Sequence, residues 1–351
     1  MHDITPLKVW VEQYQSGRLA DEGLHLCPVT GDAGFREYFR TNTQPSSIVA
    51  FAPPEHEDNL AFVTKGLALA AGGVHVPKVY AVDYTRGFLL QEDLGDRLFL
   101  EGLCAGTVDA MYGRAEQTLL KIQGLAADEV VFPCYDEALL QREMALFPEW
   151  FVARLLGVAG DESKPEITAA VFTALVDNAL QQPQVVVHRD YHSRNLLDLS
   201  DGGVGVIDFQ DAVVGPLCYD LASLLRDCYI RWSPALVEAR VEAFRCLLLK
   251  EVAAGNLAIN VPDSATFMRW FDLMGLQRHL KVLGIFARLS LRDGKTRYLK
   301  DLPLVIRYTL DVAKKYPETQ AFYHWFVECL EPRLQEQSWY QSWQSAGDVQ
   351  A

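Results

Sequence analysis

The chain has 351 residues, half of them apolar, and a formal net charge of −14. A chain of this length can bury a large core and usually forms two lobes or domains. The acidic balance argues against general affinity for nucleic acid or for an anionic membrane surface, since both need a basic footprint. Any anionic ligand must therefore be held by local cations.

The first residues lack the basic segment and apolar stretch of a secretory signal, and no apolar run reaches the length that spans a bilayer. We therefore expect a cytoplasmic protein, with a monomer as the default state. The seven cysteines are scattered and include no C-x-x-C pair, which indicates neither a disulfide framework nor a zinc site.

The N-terminal part of the chain has a strand-like pattern up to Leu94. One helix is predicted from Asp58 to Ala71, on which Leu60, Val63 and Leu67 share a face. The segments "VPKVYAVD" and "GFLLQEDL" follow as strands. We therefore predict a small β-rich lobe over 1–94, with a hinge near 90–95.

Beyond this lobe nearly every long segment has a helical period, apart from "VVVHRDYHSRNLLDLSDGGVGVIDFQD" at 185–211. There a short buried strand precedes the loop "HRDYHSRN", and a hairpin follows with its turn at 200–203. We predict a larger, mostly helical lobe over 95–351 and assign the whole protein to the α+β class.

The most informative polar residues lie in this hairpin segment. The hairpin brings Asp208 back beside Asn195, and Asp190 precedes Asn195 by five residues in one loop. Such a set offers a base and two oxygen ligands for Mg²⁺, which prefers carboxylate and carbonyl oxygen together with phosphate. In phosphoryl transfer, one carboxylate accepts the proton of the attacking hydroxyl and metal-held oxygens help to neutralise the phosphoryl charge. A single loop acid could equally be a solvated turn residue, so the prediction depends on the joint spacing.

The loop "HRDYHSRN" followed by "IDFQD" resembles the catalytic and metal loops of the aminoglycoside phosphotransferase-like kinases, which are distant relatives of protein kinases. The resemblance covers most of the chain and implies a two-lobed protein-kinase-like fold that uses ATP and Mg²⁺. It implies that Asp190 is the catalytic base and that Asn195 and Asp208 are magnesium ligands. It also implies that His188 is structural and that Asp220, in "GPLCYDLASLLRD", braces the backbone of the catalytic loop.

Other segments narrow the resemblance. "GDAGFREYFR", "APPEHEDN" and "LQRHLKVLGIFARLSLRDGK" are similar to bacterial members of this family that phosphorylate the anomeric hydroxyl of an amino sugar during cell-wall recycling. We therefore expect a small amino sugar as the substrate. Because a fold does not choose its substrate, an aminoglycoside-modifying enzyme and a choline or fructosamine kinase stay open. A pseudokinase that binds nucleotide without turnover is the rival from another class.

The resemblance also assigns the nucleotide contacts. It makes "GDAGFREYFR" the turn over the ATP phosphates, where Gly31 and Gly34 permit close approach of the backbone. It makes "LLQEDLG" the hinge, where the backbone groups that face the adenine edge belong to Gln91, Asp93 and Leu94.

One feature departs from the wider kinase pattern. The strand that should carry a phosphate-binding lysine has Ala50 in that place. A cation must then come from elsewhere, because the phosphates still need one. The candidates, in order, are Arg36, Arg40 and Lys65, since an arginine fork contacts phosphate oxygens well.

A local positive patch is predicted on the helix that runs from Arg278 to Arg292, where Arg278, Lys281, Arg288 and Arg292 fall on one side. Such a patch could attract a substrate carboxylate or ATP, although a solvated helix face is the commoner outcome. The predicted sugar contacts are His192, Arg194, Arg278 and Lys281.

Overall fold

The computed structural model describes residues 3–15, 23–29 and 35–348. The predicted phosphate turn with Gly31 and Gly34 lies outside the described residues. The helices are α1 (Thr5–Gln15), α2 (Asn59–Ala71), α3 (Phe99–Gly102), α4 (Val108–Gln123), α5 (Glu137–Met144), α6 (Pro165–Leu180), α7 (Tyr219–Leu225), α8 (Pro234–Ala253), α9 (Ser264–Leu291), α10 (Leu302–Ala313), α11 (Pro317–Trp325) and α12 (Glu331–Gln335). The strands are β1 (Leu26–Val29), β2 (Glu37–Thr41), β3 (Ser47–Phe51), β4 (Val79–Asp83), β5 (Phe88–Glu92), β6 (Gln184–Val187), β7 (Leu196–Asp198), β8 (Val204–Val206) and β9 (Val213–Pro216).

Contacts along the chain define two compact units. The first unit comprises Met1–Leu125 with Arg194–Ala212, and the second comprises Ala126–Ser193 with Val213–Ala351. The first unit therefore holds α3, α4 and the hairpin formed by β7 and β8 in addition to the strand-rich segment. The lobe boundary near residue 94 stays a prediction.

The first unit is built on a five-stranded antiparallel sheet with the order β1-β2-β3-β5-β4. Because side chains alternate across a strand, one face collects apolar residues from β2, β3 and β5. Helix α1 packs in the same hydrophobic cluster, whose buried members are Leu7, Trp10, Val11, Leu24, Phe39, Val49, Phe88 and Leu90. The strand-like expectation is wrong for 5–15, where the chain forms α1.

Helix α2 confirms the helix predicted over this part of the chain. The Asp58 side chain accepts a hydrogen bond from the backbone N–H of Ala61 at 2.9 Å, which satisfies one of the free donors at the helix start. Of the three residues predicted to share a face, Val63 is buried, whereas the Leu60 and Leu67 side chains are 62% and 65% exposed. The buried side of the helix carries Lys65 among its residues instead.

The hairpin of β7 and β8 forms as predicted, with Leu196 opposite Val206. The strand before the catalytic loop does not join it. That strand is β6, which pairs with β9 in a separate two-stranded sheet of the second unit, where Val187 lies opposite Val213. Strand β9 was not predicted.

The second unit is mostly helical and surrounds α9, a 28-residue helix that begins at an Asp263 cap and is buried along most of its length. Its neighbours include α6, α7, α10 and a π-helical segment, Phe147–Leu155. A strand-rich unit and a helical unit agree with the predicted α+β class. Within the described residues, no helix is both long enough and apolar enough to cross a bilayer.

The close approach of α9 to the segment at Leu146 requires a glycine. A Cβ atom added at Gly284 would lie 2.4 Å from the carbonyl carbon of Leu146, well inside the contact distance of two carbon atoms.

Gly284→Ala should therefore destabilise the protein, although alanine normally favours a helix by about 1 kcal/mol over glycine. We expect a loss of about 2–3 kcal/mol in the free energy of unfolding, because the clash is with backbone that cannot rotate away. Urea unfolding measures it. Gly106→Ala is the matched control, since a Cβ there meets nothing within 4 Å. Equal stability of the two variants would contradict the packing argument.

Candidate active site

The catalytic loop follows β6 in the second unit and is fixed at its start by Asp220. The Oδ2 atom of Asp220 accepts the backbone N–H of His188 at 2.6 Å, and its Oδ1 atom accepts that of Arg189 at 2.9 Å. Both His188 and Asp220 are fully buried. Burial raises the pKa of Asp220 to about 6, against the opposing effects of His188 and the two backbone donors.

The other end of the loop is held by Asp227, a buried residue that is separated from the end of α7 by one residue. Its Oδ2 atom accepts the backbone N–H of Ser193 at 2.9 Å and also the Ser193 hydroxyl. Its Oδ1 atom accepts the backbone N–H of Tyr229 at 3.1 Å. Sequence reasoning did not single out Asp227, although it ends the segment "GPLCYDLASLLRD".

Asp190 lies in the braced loop and is partly exposed. Its backbone N–H donates to Nδ1 of His188 at 3.3 Å. Burial alone would raise the pKa of Asp190, but the charges of Lys281, His192, Arg278 and Arg189 lower it to about 2. Asp190 is therefore a carboxylate at neutral pH, and it can accept a hydrogen bond from a hydroxyl group.

A cavity of the second unit contains Asp190. Its polar lining residues are Asp190, His192, Tyr219, Tyr229, Arg278 and Lys281. Three of the four predicted sugar contacts thus share a cavity with Asp190. The fourth, Arg194, is the first residue of the segment Arg194–Ala212, which belongs to the first unit.

The residues of the predicted positive patch differ in their exposure to solvent. Arg278 and Lys281 are only 3% and 6% exposed, so the solvated helix face is wrong for these two residues. Arg292 instead forms an exposed ion pair with Asp293 at 2.7 Å. Lys281 pairs with Glu143 on α5, a residue that sequence reasoning missed because its partner lies far along the chain.

The predicted magnesium ligands lie together in the first unit. The side-chain amide of Asn195 donates to Oδ2 of Asp208 at 3.2 Å, and the backbone N–H of Ile207 donates to the Asn195 carbonyl at 3.1 Å. An amide oxygen and a carboxylate beside each other match the oxygen ligands that Mg²⁺ prefers. Within the part of the chain that is described, no group of three or more His, Cys, Asp and Glu side chains could hold a metal. The pair therefore suits an ion that takes its remaining ligands from phosphate and water.

Two residues of the motif adopt left-handed backbone conformations. The φ angles are 75° at Arg189 and 63° at Asp208, and the one other non-glycine residue with positive φ in the described ranges is Lys164. Such conformations cost on the order of 1 kcal/mol or more, and they persist where the surroundings fix them. Their position beside the predicted base and at the predicted metal ligand makes a functional role the natural explanation.

Helix α2 holds the segment that follows Asp208. Phe209 stacks on Phe62 with ring centroids 4.8 Å apart, and a Cβ at Gly66 would lie 3.2 Å from the Phe209 ring. The ammonium of Lys65 donates to the carbonyl of Gln210 at 2.6 Å. Lys65 is thus buried and does not lie on the solvent face of its helix. Its acceptor, Gln210, is two residues after Asp208 in the sequence.

The three candidate phosphate cations differ in their contacts. Arg36 forms an ion pair with Glu57 at 2.9 Å, and its Nη2 atom is buried without a hydrogen-bond partner among the described residues. The charges of both Arg36 and Asp208 affect the pKa of Tyr38, which burial raises, so all three side chains belong to one region. Arg40 makes four hydrogen bonds to two carboxylates, which leaves little of its fork for phosphate. The geometry therefore favours Arg36 and Lys65 over Arg40.

The carboxylates that hold Arg40 belong to Asp93 and Asp96, in the predicted hinge. Asp93 also accepts the Ser46 hydroxyl at 2.7 Å and the backbone N–H of Gly95 at 3.0 Å. Gln91 is buried on the interior strand β5, between β3 and β4, whereas Asp93 and Leu94 follow the end of that strand. The backbone groups of Asp93 and Leu94 thus lie beyond the paired part of the sheet.

The residues 25–254 match the model of the phosphotransferase enzyme family. The chain belongs to this family. A relative from Pseudomonas putida, named N-acetylmuramate/N-acetylglucosamine kinase, is 41% identical over 90% of this chain and 94% of its own. The predicted family resemblance and the prediction of a phosphotransferase are thereby confirmed.

Solved structures confirm the protein-kinase-like fold. An ethanolamine kinase from Plasmodium vivax has a TM-score of 0.64 at 11% identity and covers 87% of this chain and 88% of its own. The aminoglycoside phosphotransferase APH(2'')-Ib, solved with ADP bound, has a TM-score of 0.57 at 14% identity and covers 88% of this chain and 98% of its own. At these identities the likeness concerns the fold alone.

The brace formed by Asp220 gives a test of the loop. Asp220→Asn leaves one acceptor oxygen for two backbone donors and turns an NH₂ group toward one of them, so the loop should lose its fixed conformation. We expect kcat to fall about 10- to 100-fold, because small displacements of catalytic groups are costly. The measurement is steady-state phosphorylation by folded protein. Asp177→Asn, at an exposed position of α6, is the control, and equal activity of both variants would refute the brace.

Proposed function

We propose that this chain is an ATP- and magnesium-dependent kinase that converts N-acetylmuramate and N-acetylglucosamine to their 1-phosphates. The observation that carries the proposal is the similarity to the Pseudomonas putida kinase over nearly the full length of both chains. We further propose that the reaction serves the recycling of cell-wall amino sugars in the cytoplasm and that the protein acts as a monomer.

Asp190 is the catalytic base of the proposed reaction. The anomeric hydroxyl donates to its carboxylate and attacks the γ-phosphorus of ATP. A new P–O bond forms to the sugar, the bond between the γ-phosphorus and the bridging oxygen breaks, and ADP leaves. The hydroxyl proton passes to Asp190. The low pKa of Asp190 supports a role in orienting the hydroxyl, because the carboxylate is ionised at working pH.

Asn195 and Asp208 are the residues that would hold Mg²⁺, through the amide oxygen and the carboxylate. When bound, the ion supplies positive charge to the phosphate oxygens. Arg36 and Lys65 are the proposed protein cations for the phosphates in place of the strand lysine. The backbone groups of Gln91, Asp93 and Leu94 are the proposed adenine contacts.

The cavity of the second unit is the proposed sugar site. N-acetylmuramate differs from N-acetylglucosamine by a lactyl group that ends in a carboxylate. Arg278 is suited to bind it, because its buried guanidinium has Cys228 as its hydrogen-bond partner, a weak acceptor at 3.5 Å. A carboxylate would provide two strong acceptors in the geometry that an arginine fork prefers. His192 and Arg194 are proposed to contact the sugar hydroxyls.

The proposed reaction is tested with a panel of amino sugars and aminoglycosides in the presence of ATP and Mg²⁺. Phosphorus NMR of the product separates the candidates, because an anomeric phosphate couples to the anomeric proton and a phosphate on an aminoglycoside hydroxyl does not. We expect an anomeric phosphate from both N-acetylated sugars. Phosphorylation of an aminoglycoside instead, or ATP binding without turnover, would overturn the proposal.

Asp190→Ala tests the base. We expect a fall in kcat of about 10³-fold, within the usual contribution of a positioned acid or base, with ATP binding little changed. Calorimetry of ATP binding and steady-state kinetics measure the two effects, and Asp177→Ala is the control. Near-normal sugar phosphorylation by Asp190→Ala would rule out the assignment.

Arg278→Gln tests recognition of the carboxylate. The KM for N-acetylmuramate should rise about 10- to 100-fold, since a charge-assisted hydrogen bond contributes about 1.5–3 kcal/mol. The KM for N-acetylglucosamine should change less than about threefold by the same reasoning. Arg292→Gln, at the exposed residue directly after the same helix, should behave as the wild type. An equal loss for the two sugars would show that Arg278 does not bind the lactyl carboxylate.

A further inference from the structure

A buried acid, Glu143, contacts a residue that lines the cavity, Lys281. Glu143 is 8% exposed, and its Oε1 atom lies 3.0 Å from the ammonium of Lys281. The same oxygen accepts a hydrogen bond from the Arg189 guanidinium. Its Oε2 atom accepts the hydroxyl of Tyr135, which in turn accepts the Gln277 amide at 3.3 Å.

These donors come from separate segments of the second unit. Lys281 and Gln277 belong to α9, Arg189 to the catalytic loop and Tyr135 to the segment before α5. One carboxylate therefore fixes the position of α9 side chains relative to the catalytic loop. We propose that Glu143 is a positioning residue for phosphoryl transfer: it holds Lys281 and Arg189 in place around the cavity that contains Asp190.

The charge balance of the cavity supports this role. Arg189, Arg278 and Lys281 are cationic, whereas Asp190 and Glu143 are anionic. Removal of the Glu143 charge would take away a carboxylate that acts on Lys281 and would leave Asp190 to face the ammonium. An ammonium that loses its counter-ion in a buried site is an uncompensated charge, which favours a closer contact with any anion within reach. Lys281 would then compete with the substrate hydroxyl for Asp190.

The ionisation states agree with the contacts. Burial would raise the pKa of Glu143, but Lys281, Arg189 and Tyr135 hold it below its usual value. Burial and the repulsion by Arg189 both lower the pKa of Lys281. Tyr219, Glu143 and Asp190 outweigh both effects and raise the pKa of the lysine. The groups that face Lys281 are thus Tyr219 from α7, Glu143 from α5, and Arg189 and Asp190 from the catalytic loop. Arg278, on α9 itself, lines the same cavity.

The test compares Glu143→Gln, which keeps the shape and removes the charge, with Glu143→Asp, which keeps the charge and shortens its reach. Glu149→Gln is the control, because Glu149 is exposed and pairs with Arg154. For Glu143→Gln we expect kcat to fall about 10- to 100-fold, as for a displaced catalytic group. Glu143→Asp should recover part of this loss, and Glu149→Gln should match the wild type. The KM of the Glu143 variants for ATP should change less than about twofold, because Glu143 lies in the other unit from the proposed nucleotide contacts.

The pH profile distinguishes positioning from a merely structural role. Loss of the Glu143 charge removes an effect that raises the pKa of Lys281, so that pKa falls. The basic limb of kcat/KM should therefore move to lower pH by about one unit. A wild-type kcat and profile for Glu143→Gln would overturn the inference. So would a loss of activity that only follows the unfolded fraction, with the profile unchanged. If Glu143→Gln does not fold, full activity of Glu143→Asp overturns the inference in the same way.

The inference uses the proposed function only to choose the substrate. A wild-type protein that phosphorylates neither sugar would refute the proposed function, and not the role of Glu143. The variants are then compared by their ATP hydrolysis with Mg²⁺, where water replaces the sugar hydroxyl. The same order of activity is expected there, and equal rates for Glu143→Gln and the wild type would reject the positioning role.

Discussion

The structure depends on the pairing of buried charges around α9. Arg278 and Lys281 leave solvent almost completely, and a buried cation is costly unless an anion is buried with it. Glu143 and Asp190 provide that charge from two other elements. The packing of α9 and the chemistry of the cavity are therefore not separable, because the cations that require the acids also hold Asp190 ionised.

A pKa of about 2 has a consequence for the chemistry of Asp190. Such a carboxylate has a low affinity for a proton, so in the proposed reaction its main contribution would be to orient the hydroxyl and to carry negative charge beside it. Phosphoryl transfer suits this arrangement, because its loose transition state needs little proton removal before the new bond forms. A general base near neutral pKa would be needed more in a reaction whose barrier is the proton transfer itself.

The sequence predicted structure that depends on near neighbours better than structure that depends on distant ones, and the roles of the site residues stay predictions. Asp190, Asn195 and Asp208 could be predicted from their spacing around a hairpin, and the hairpin forms. The positive patch was visible too, but its burial depends on Glu143, which no local pattern connects to α9. Helix α1 was missed although Leu7, Trp10 and Val11 have helical spacing, because the surrounding segments are strand-like. For α2, the buried side carries Phe62 and Gly66 against the Phe209 ring, whereas Leu60 and Leu67 are exposed.

The buried side of α2 bears on the absence of a lysine at the position of Ala50. Ala50 is 1% exposed in β3, with Tyr38 and Leu89 opposite it on the neighbouring strands. A helix, and not this strand, brings a buried lysine to the segment after Asp208. Gly66 lets the Phe209 ring lie directly against α2, and Lys65, one residue earlier, donates to the carbonyl of Gln210. Lys65 is thus tied by a hydrogen bond to the same short segment as the proposed metal ligand Asp208. If both act as proposed, α2 and the segment after Asp208 must keep their relative position.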